Sequence, residues 1–116
     1  NPQNLDVFFH LPLEIYSPKF IIVEIFEHKE RIISKSKISK DEVYELLDNL
    51  LQKIQFINND LISFENYLKA YNLCKEIDED DTPFIALALE LKAKLWSNDQ
   101  ILKNHLKSKG FDDFYE

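Results

Sequence analysis

The sequence predicts an α/β protein with a mostly parallel sheet, and three observations predict it. Short apolar or alternating stretches of strand length recur between stretches with helical spacing. At 116 residues and 45% hydrophobic, with nine Phe, five Tyr and one Trp, the chain carries enough apolar volume for one compact domain over residues 1–116. No internal repeat and no low-complexity linker divides it.

Taken in order, "PLEIYSP" (12–18) alternates like a strand and closes on a helix start, with Ser17 suited to the N-cap and Pro18 to the first helical position. The helix continues through "KFIIVEIFEHKERIISK" to about Lys35. "SKISKDEVYELLDNLLQKIQ" gives a second amphipathic helix, with Val43, Leu46, Leu47, Leu50, Leu51 and Ile54 at helical spacing. "FINND" (56–60) is a short strand. "SFENYLKAYNLCKEI" reads as a third helix with Phe64, Tyr67, Leu68, Tyr71 and Cys74 on one side. Thr82-Pro83 opens a fourth, "PFIALALELKA", apolar almost all round and therefore buried. "KLWS" (94–97) is a strand, "NDQILKNHLKSKG" a capped helix stopped at Gly110, and "FDDFYE" a terminal strand or tail.

Composition removes several function classes. The net charge of −7 argues against a protein that coats nucleic acid through a basic face, while leaving room for carboxylates that hold cations. The single glycine, Gly110, eliminates Gly-rich phosphate loops, dinucleotide fingerprints and nucleophile elbows together. The single cysteine, Cys74, has no internal disulfide partner, reads as a helix packing position and points to a reducing cytoplasm. No apolar run reaches the ~18 residues of a membrane span.

The acids carry the functional signal. In "DEDDTPFIALALELKAKLWSND" (78–99), Asp78, Glu79, Asp80 and Asp81 precede the apolar helix and Asp99 follows the strand; Glu90 stands where the apolar pattern breaks toward solvent. A helix of about 11 residues rises roughly 16 Å, and a strand of about four runs back roughly 13 Å. Asp81 and Asp99 are thus expected at the same rim, the edge where open α/β sheets bind ligands. Glu24 interrupts "FIIVEIF", where a carboxylate is costly unless exposed, paired or bound to a cation. Oxygen-only ligands suit Mg²⁺ or Mn²⁺. His10, His28 and His105 lack the spacing and Cys partners of a zinc site. Each acid also has a plainer reading, Asp81 and Asp99 as helix caps, Asp78, Glu79 and Asp80 as loop charges, and Glu24 on a solvated stripe with Glu27 and His28.

The stretch 78–99 resembles the C-terminal half of a PIN-domain nuclease: an Asp before a buried helix, a small-residue and Leu run, a short strand, then Thr/Ser-Asn-Asp, here Ser97-Asn98-Asp99. "SPKFIIVEIFEHK" is similar to that family's second segment, and "SKGFDDFY" fits its passage into the last strand. The resemblance implies a three-layer α/β/α sandwich and divalent-metal-dependent cleavage of RNA phosphodiesters. Carried over by position, it assigns Glu24, Asp81 and Asp99 to the acidic catalytic and metal-binding set, Asp78 to an auxiliary metal ligand, and Ser97 and Asn98 to support around Asp99.

The family opens with a strand ending in Asp followed by Thr/Ser-Asn, and "NPQNLDVFFHL" instead resembles the tail of the next helix, with Asp6 a poor substitute ligand. With no methionine in the chain, an N-terminally truncated domain is expected, its first strand and fourth carboxylate lying upstream. The implied partners are single-stranded or structured RNA, an antitoxin protein if the chain is the toxin of a toxin–antitoxin pair, and a second copy in a homodimer; no membrane is expected. Lys19, Lys29, Arg31, Lys35 and Lys37 are phosphate contacts or a solvated helix face. The competing reading is a non-catalytic PIN-like interaction or dimerisation module, using "FDDFYE" and "EVYELLDNLLQKI" as contact surfaces.

Overall fold

The computed structural model describes residues 13–35, 37 and 39–116; the helical reading of 1–11 and Asp6 fall outside them. The chain forms two compact units, Asn1–Ile57 and Asn58–Glu116. Its described elements are α-helices and a parallel strand pair, which makes it an α/β protein.

In the N-terminal unit, β1 (Ile15–Pro18) pairs in parallel with β2 (Ile54–Ile57), Ile15 opposite Ile54 and Pro18 opposite Ile57. Parallel strands require a crossover, and two helices supply it, α1 (Phe20–Lys35) and α2 (Lys40–Lys53). Proline donates no hydrogen bond to a ladder, but Pro18 stands at the strand's last position and Lys19 takes over, donating to the Ile57 carbonyl at 3.0 Å. The expected cap is therefore corrected. Ser17 and Pro18 are strand residues, the Ser17 hydroxyl bonds the Pro18 carbonyl, and the helix begins at Phe20.

α2 starts as its sequence dictates. Ser39 caps it by accepting from the Glu42 amide at 3.2 Å, and Asp41 and Glu42 lie on the positive end of its dipole. Its last expected apolar position, Ile54, already has extended backbone and opens β2. The predicted strand over 56–60 thus lies two residues early, at 54–57, and Asn59–Leu61 form a 3₁₀ turn capped by Asn58. Pro18 and Val43 are fully buried in this unit.

In the C-terminal unit α3 (Phe64–Cys74) packs on α4 (Thr82–Leu91). Ala70 of α3 and Ala86 and Ala88 of α4 are buried. Ile85, Leu87, Leu102, Leu106, Phe111 and Phe114 complete the core with Ile62 and Cys74. Of the five residues grouped on one side of α3, Cys74 is buried and Tyr67 half-buried, whereas Phe64, Leu68 and Tyr71 are 80%, 49% and 41% exposed and Ala70 is buried in their place.

The predicted strand over 94–97 is a single parallel bridge, Leu95 to Phe114, made by Leu95 N–H to Asp113 and Tyr115 N–H to Leu95, both at 2.9 Å. α5 (Gln100–Ser108) ends as expected. Gly110 takes φ 96° with its N–H on Lys107, and Phe111 N–H reaches Leu106, the paired bonds of a Schellman stop. Phe111 and Phe114 are core residues, so these aromatics of the tail complete a core, the plainer of the two readings of that segment, rather than offer a contact surface.

Candidate functional site

The acidic cluster follows directly from how α3 ends. Ile77 and Asp78 amides both return to the Cys74 carbonyl, and Asp78 then starts a one-turn 3₁₀ helix, Glu79–Asp81, its Oδ1 accepting from the Asp80 amide at 2.9 Å. Asp81 holds the N-cap position of α4 yet makes no capping hydrogen bond. Two local facts explain that. Its φ of −78° and ψ of −9° are helical rather than extended, and Pro83 in the first turn has no N–H to offer.

Asp81 is consequently a half-buried carboxylate without a hydrogen-bond donor among the described residues. Burial, first, and then the charges of Asp78, Asp99 and Asp80 push its pKa above the ordinary aspartate value. Asp81 and Asp99, 18 positions apart in sequence, thus lie within each other's field, together with Asp78 and Asp80.

Asp99 does two things at once. Its backbone N–H donates to Ser97 Oγ at 3.1 Å, and its Oδ1 caps α5 by accepting from the Leu102 amide, also at 3.1 Å. The plain capping reading of Asp99 is therefore true of one oxygen, and Oδ2 accepts no hydrogen bond among the described residues. Asn98 beside it is exposed.

Glu24 belongs to the N-terminal unit, in the second turn of α1, and is exposed. Its neighbours Val23 and Phe26 are 58% and 50% exposed, so the apolar run around it does not enclose its carboxylate.

Glu90 is the acid whose role the sequence missed. Rather than facing solvent where the apolar pattern breaks, it is half-buried and accepts from the Ser63 amide and Asn66 Nδ2. Those bonds hold its pKa below the usual glutamate value, the backbone bond from Ser63 contributing most. The signal was available only as an acid at an inward-leaning position of α4.

Among the described residues, neither unit gathers three His, Cys, Asp or Glu side chains into a ready-made metal cluster. The C-terminal unit instead supplies hard oxygen donors whose like charges act on one another, the donor chemistry of Mg²⁺ or Mn²⁺ rather than of zinc. Its thiol, Cys74, is buried away from that role.

The chain is thus a parallel α/β protein in which aspartates act on one another where a buried helix begins. The PIN domain family matches residues 1–112, and the chain belongs to that family. PIN domains are generally nucleases that bind RNA and use divalent metal ions. No curated protein and no solved structure matches the chain. No helix among the described residues is long and apolar enough to cross a membrane.

Proposed function

We propose that this PIN-domain protein is a divalent-metal-dependent ribonuclease in which Asp81 and Asp99 hold the cation, with Asp78 as auxiliary ligand. The observation that carries the reading is Asp81: a partly desolvated carboxylate, undonated among the described residues, with three other aspartates acting on it. Such a group is destabilising in its charged form unless a cation offsets it.

The chain's own residues divide the work. Asp99 Oδ1 is committed to the α5 amide, so Oδ2 is the oxygen it offers, held in direction by that cap and by Ser97. Asp78 Oδ1 is likewise committed to Asp80, which leaves Oδ2. Asp81 offers both oxygens. A bound Mg²⁺ or Mn²⁺ supplies charge neutralisation at the phosphate and a more acidic water; the sequence offers no candidate protein nucleophile.

The test is cleavage of a single-stranded RNA by the full-length protein, titrated with Mg²⁺ or Mn²⁺, beside Asp81→Asn and Asp99→Asn. Metal-dependent cleavage that both variants abolish is the expected result. A wild-type protein that leaves RNA intact at every metal concentration overturns the reading.

A second reading, a non-catalytic interaction module, draws on the exposed apolar stripe Leu61, Phe64, Leu68 and Tyr71. Light scattering separates it: a stable homodimer indifferent to divalent metal, with no cleavage, favours the module.

A further inference from the structure

We infer that Thr82 is a positioning residue for Asp81: with Cys74 it clasps the two ends of the acidic loop and so fixes where the Asp81 carboxylate is carried. The inference rests on the metal-dependent reading and deepens it by naming what holds the ligand in place. Asp99 and Asp78 are each tethered through a carboxylate oxygen, to the Leu102 and Asp80 amides. Asp81 makes no capping hydrogen bond, and its carboxylate accepts none among the described residues. Its placement therefore depends on its backbone, and the next residue along that backbone is Thr82.

Thr82 is 9% exposed, a polar side chain in an otherwise apolar core. A buried hydroxyl is costly unless it is bonded, and this one is bonded twice. It donates to the Glu79 carbonyl at 2.6 Å, to which the Thr82 amide also donates. With that proton committed, its oxygen accepts from the Cys74 thiol at 3.2 Å, eight positions back in the chain. Cys74 holds the other end of the loop too, its carbonyl accepting from the Ile77 and Asp78 amides at 3.0 and 2.9 Å. One residue thus ties the loop's entry with its carbonyl and its exit with its thiol. Between these ties the Asp81 amide donates to the Asp78 carbonyl at 3.2 Å, which keeps the two acids in one turn.

The hydroxyl does something that packing does not. Valine would fill the same space, but only a group that bonds the Glu79 carbonyl resists rotation of the turn. Carboxylates that share a cation must stay close against their mutual repulsion. A turn free to rotate would let Asp81 swing away from Asp78 and Asp99, whose charges act on it. Groups that orient a metal ligand from outside the coordination sphere change metal affinity about 10- to 100-fold when removed.

Thr82→Val keeps the shape and deletes the hydroxyl, whereas Thr82→Ser keeps the hydroxyl. Two measurements on the full chain separate them: amide hydrogen exchange by NMR without metal, and Mn²⁺ binding read from loss of the free-ion EPR signal. In Thr82→Val the Asp81 amide should exchange faster while the Leu87 and Ala88 amides, further along α4, keep their protection. Its Mn²⁺ affinity should fall about 10-fold. Thr82→Ser should restore both, with circular dichroism showing every variant folded. A hydroxyl needed only for stability would speed exchange along the whole helix and leave the Mn²⁺ affinity of the folded protein unchanged. Uniform acceleration, no acceleration, or wild-type Mn²⁺ affinity in Thr82→Val each overturns the positioning role. If Thr82→Val does not fold, Cys74→Ala removes the thiol end of the clasp and faces the same two readouts. A wild-type protein that binds no Mn²⁺ and cleaves no RNA overturns the ribonuclease reading, while local acceleration at Asp81 in Thr82→Val still leaves the clasp standing.

Discussion

Glu90 Oε1 accepts from the Ser63 backbone N–H at 2.7 Å and from Asn66 Nδ2 at 3.1 Å. Ser63 Oγ meanwhile accepts from the Asn66 amide at 3.2 Å, so the start of α3 is capped from both directions. In a local capping box the returning acid stands three residues after the cap. Here that position is Asn66, and the acid comes from α4, 27 residues after Ser63. The contact joins α3 to α4.

Replacing Glu90 should therefore loosen α3 as well as α4. Glu90→Ala leaves the Ser63 amide without its acceptor and should lower the thermal midpoint by several degrees, with Glu90→Gln intermediate because it keeps one acceptor oxygen. The folded protein holds the Glu90 proton less tightly than the unfolded chain, so this contribution is full above the ordinary glutamate value. It should fade as pH falls through the lower folded value. Thermal melts of wild type and Glu90→Gln across the acid range should converge at the low end.

Asp81→Asn should do the reverse. Raised in the folded state, the Asp81 pKa means the folded protein binds the proton more tightly, so stability is lost as pH rises through the ordinary range to the folded value. At neutral pH the amide removes that penalty and should raise the melting temperature. Below the ordinary aspartate range the gain should vanish. Mg²⁺ should raise the wild-type melting temperature and have a much smaller effect on Asp81→Asn.

Asp99 separates capping from charge. Asn caps a helix about as well as Asp, so Asp99→Asn should melt close to wild type, whereas Asp99→Ala should lose about 1 kcal/mol by denaturant titration. Cleavage should fall in both.

Lys92 ends α4 with φ 52° and ψ 40°, left-handed backbone that an L side chain enters at some cost. Its N–H reaches Ala88 and Leu89, and Ala93 N–H also returns to Ala88. Lys92→Gly should stabilise by up to about 1 kcal/mol, and Lys92→Val should destabilise by at least as much. Chemical denaturation measures both.

Cys74 is fully buried. The Thr82 hydroxyl bonds the Glu79 carbonyl, which leaves the Cys74 thiol, 3.2 Å away, to donate to Thr82 Oγ1. Burial, the largest influence, raises the thiol pKa. A thiol-specific chromogenic reagent should react with it at the rate of unfolding, and rapidly only in denaturant.

Much of this was legible residue by residue. Ser39, Ser63 and Asp99 cap helices because short oxygen-bearing side chains reach the first amides of their own turn, and Gly110 stops one because it alone accepts the left-handed angle without penalty. The continuous apolar run of α4 announced its burial for the same local reason. Strand positions were read less well. Ile54 satisfied the helical spacing of α2 and was claimed by β2, and the segment 94–97 looked like a strand though a single residue pairs. Pairing needs a partner, and periodicity does not name one.

The sequence alone determined the α/β class, the ends of most helices and the presence of acids on both sides of the buried helix, since these rest on interactions between residues a few positions apart. Tertiary structure decided which face of α3 is buried, that Glu90 caps a helix other than its own, that Asp81 lies within the field of Asp99, and that Trp96 meets Tyr115. Each of those depends on which segments fold back on one another, a choice made by packing the whole unit, and no local spacing encodes it.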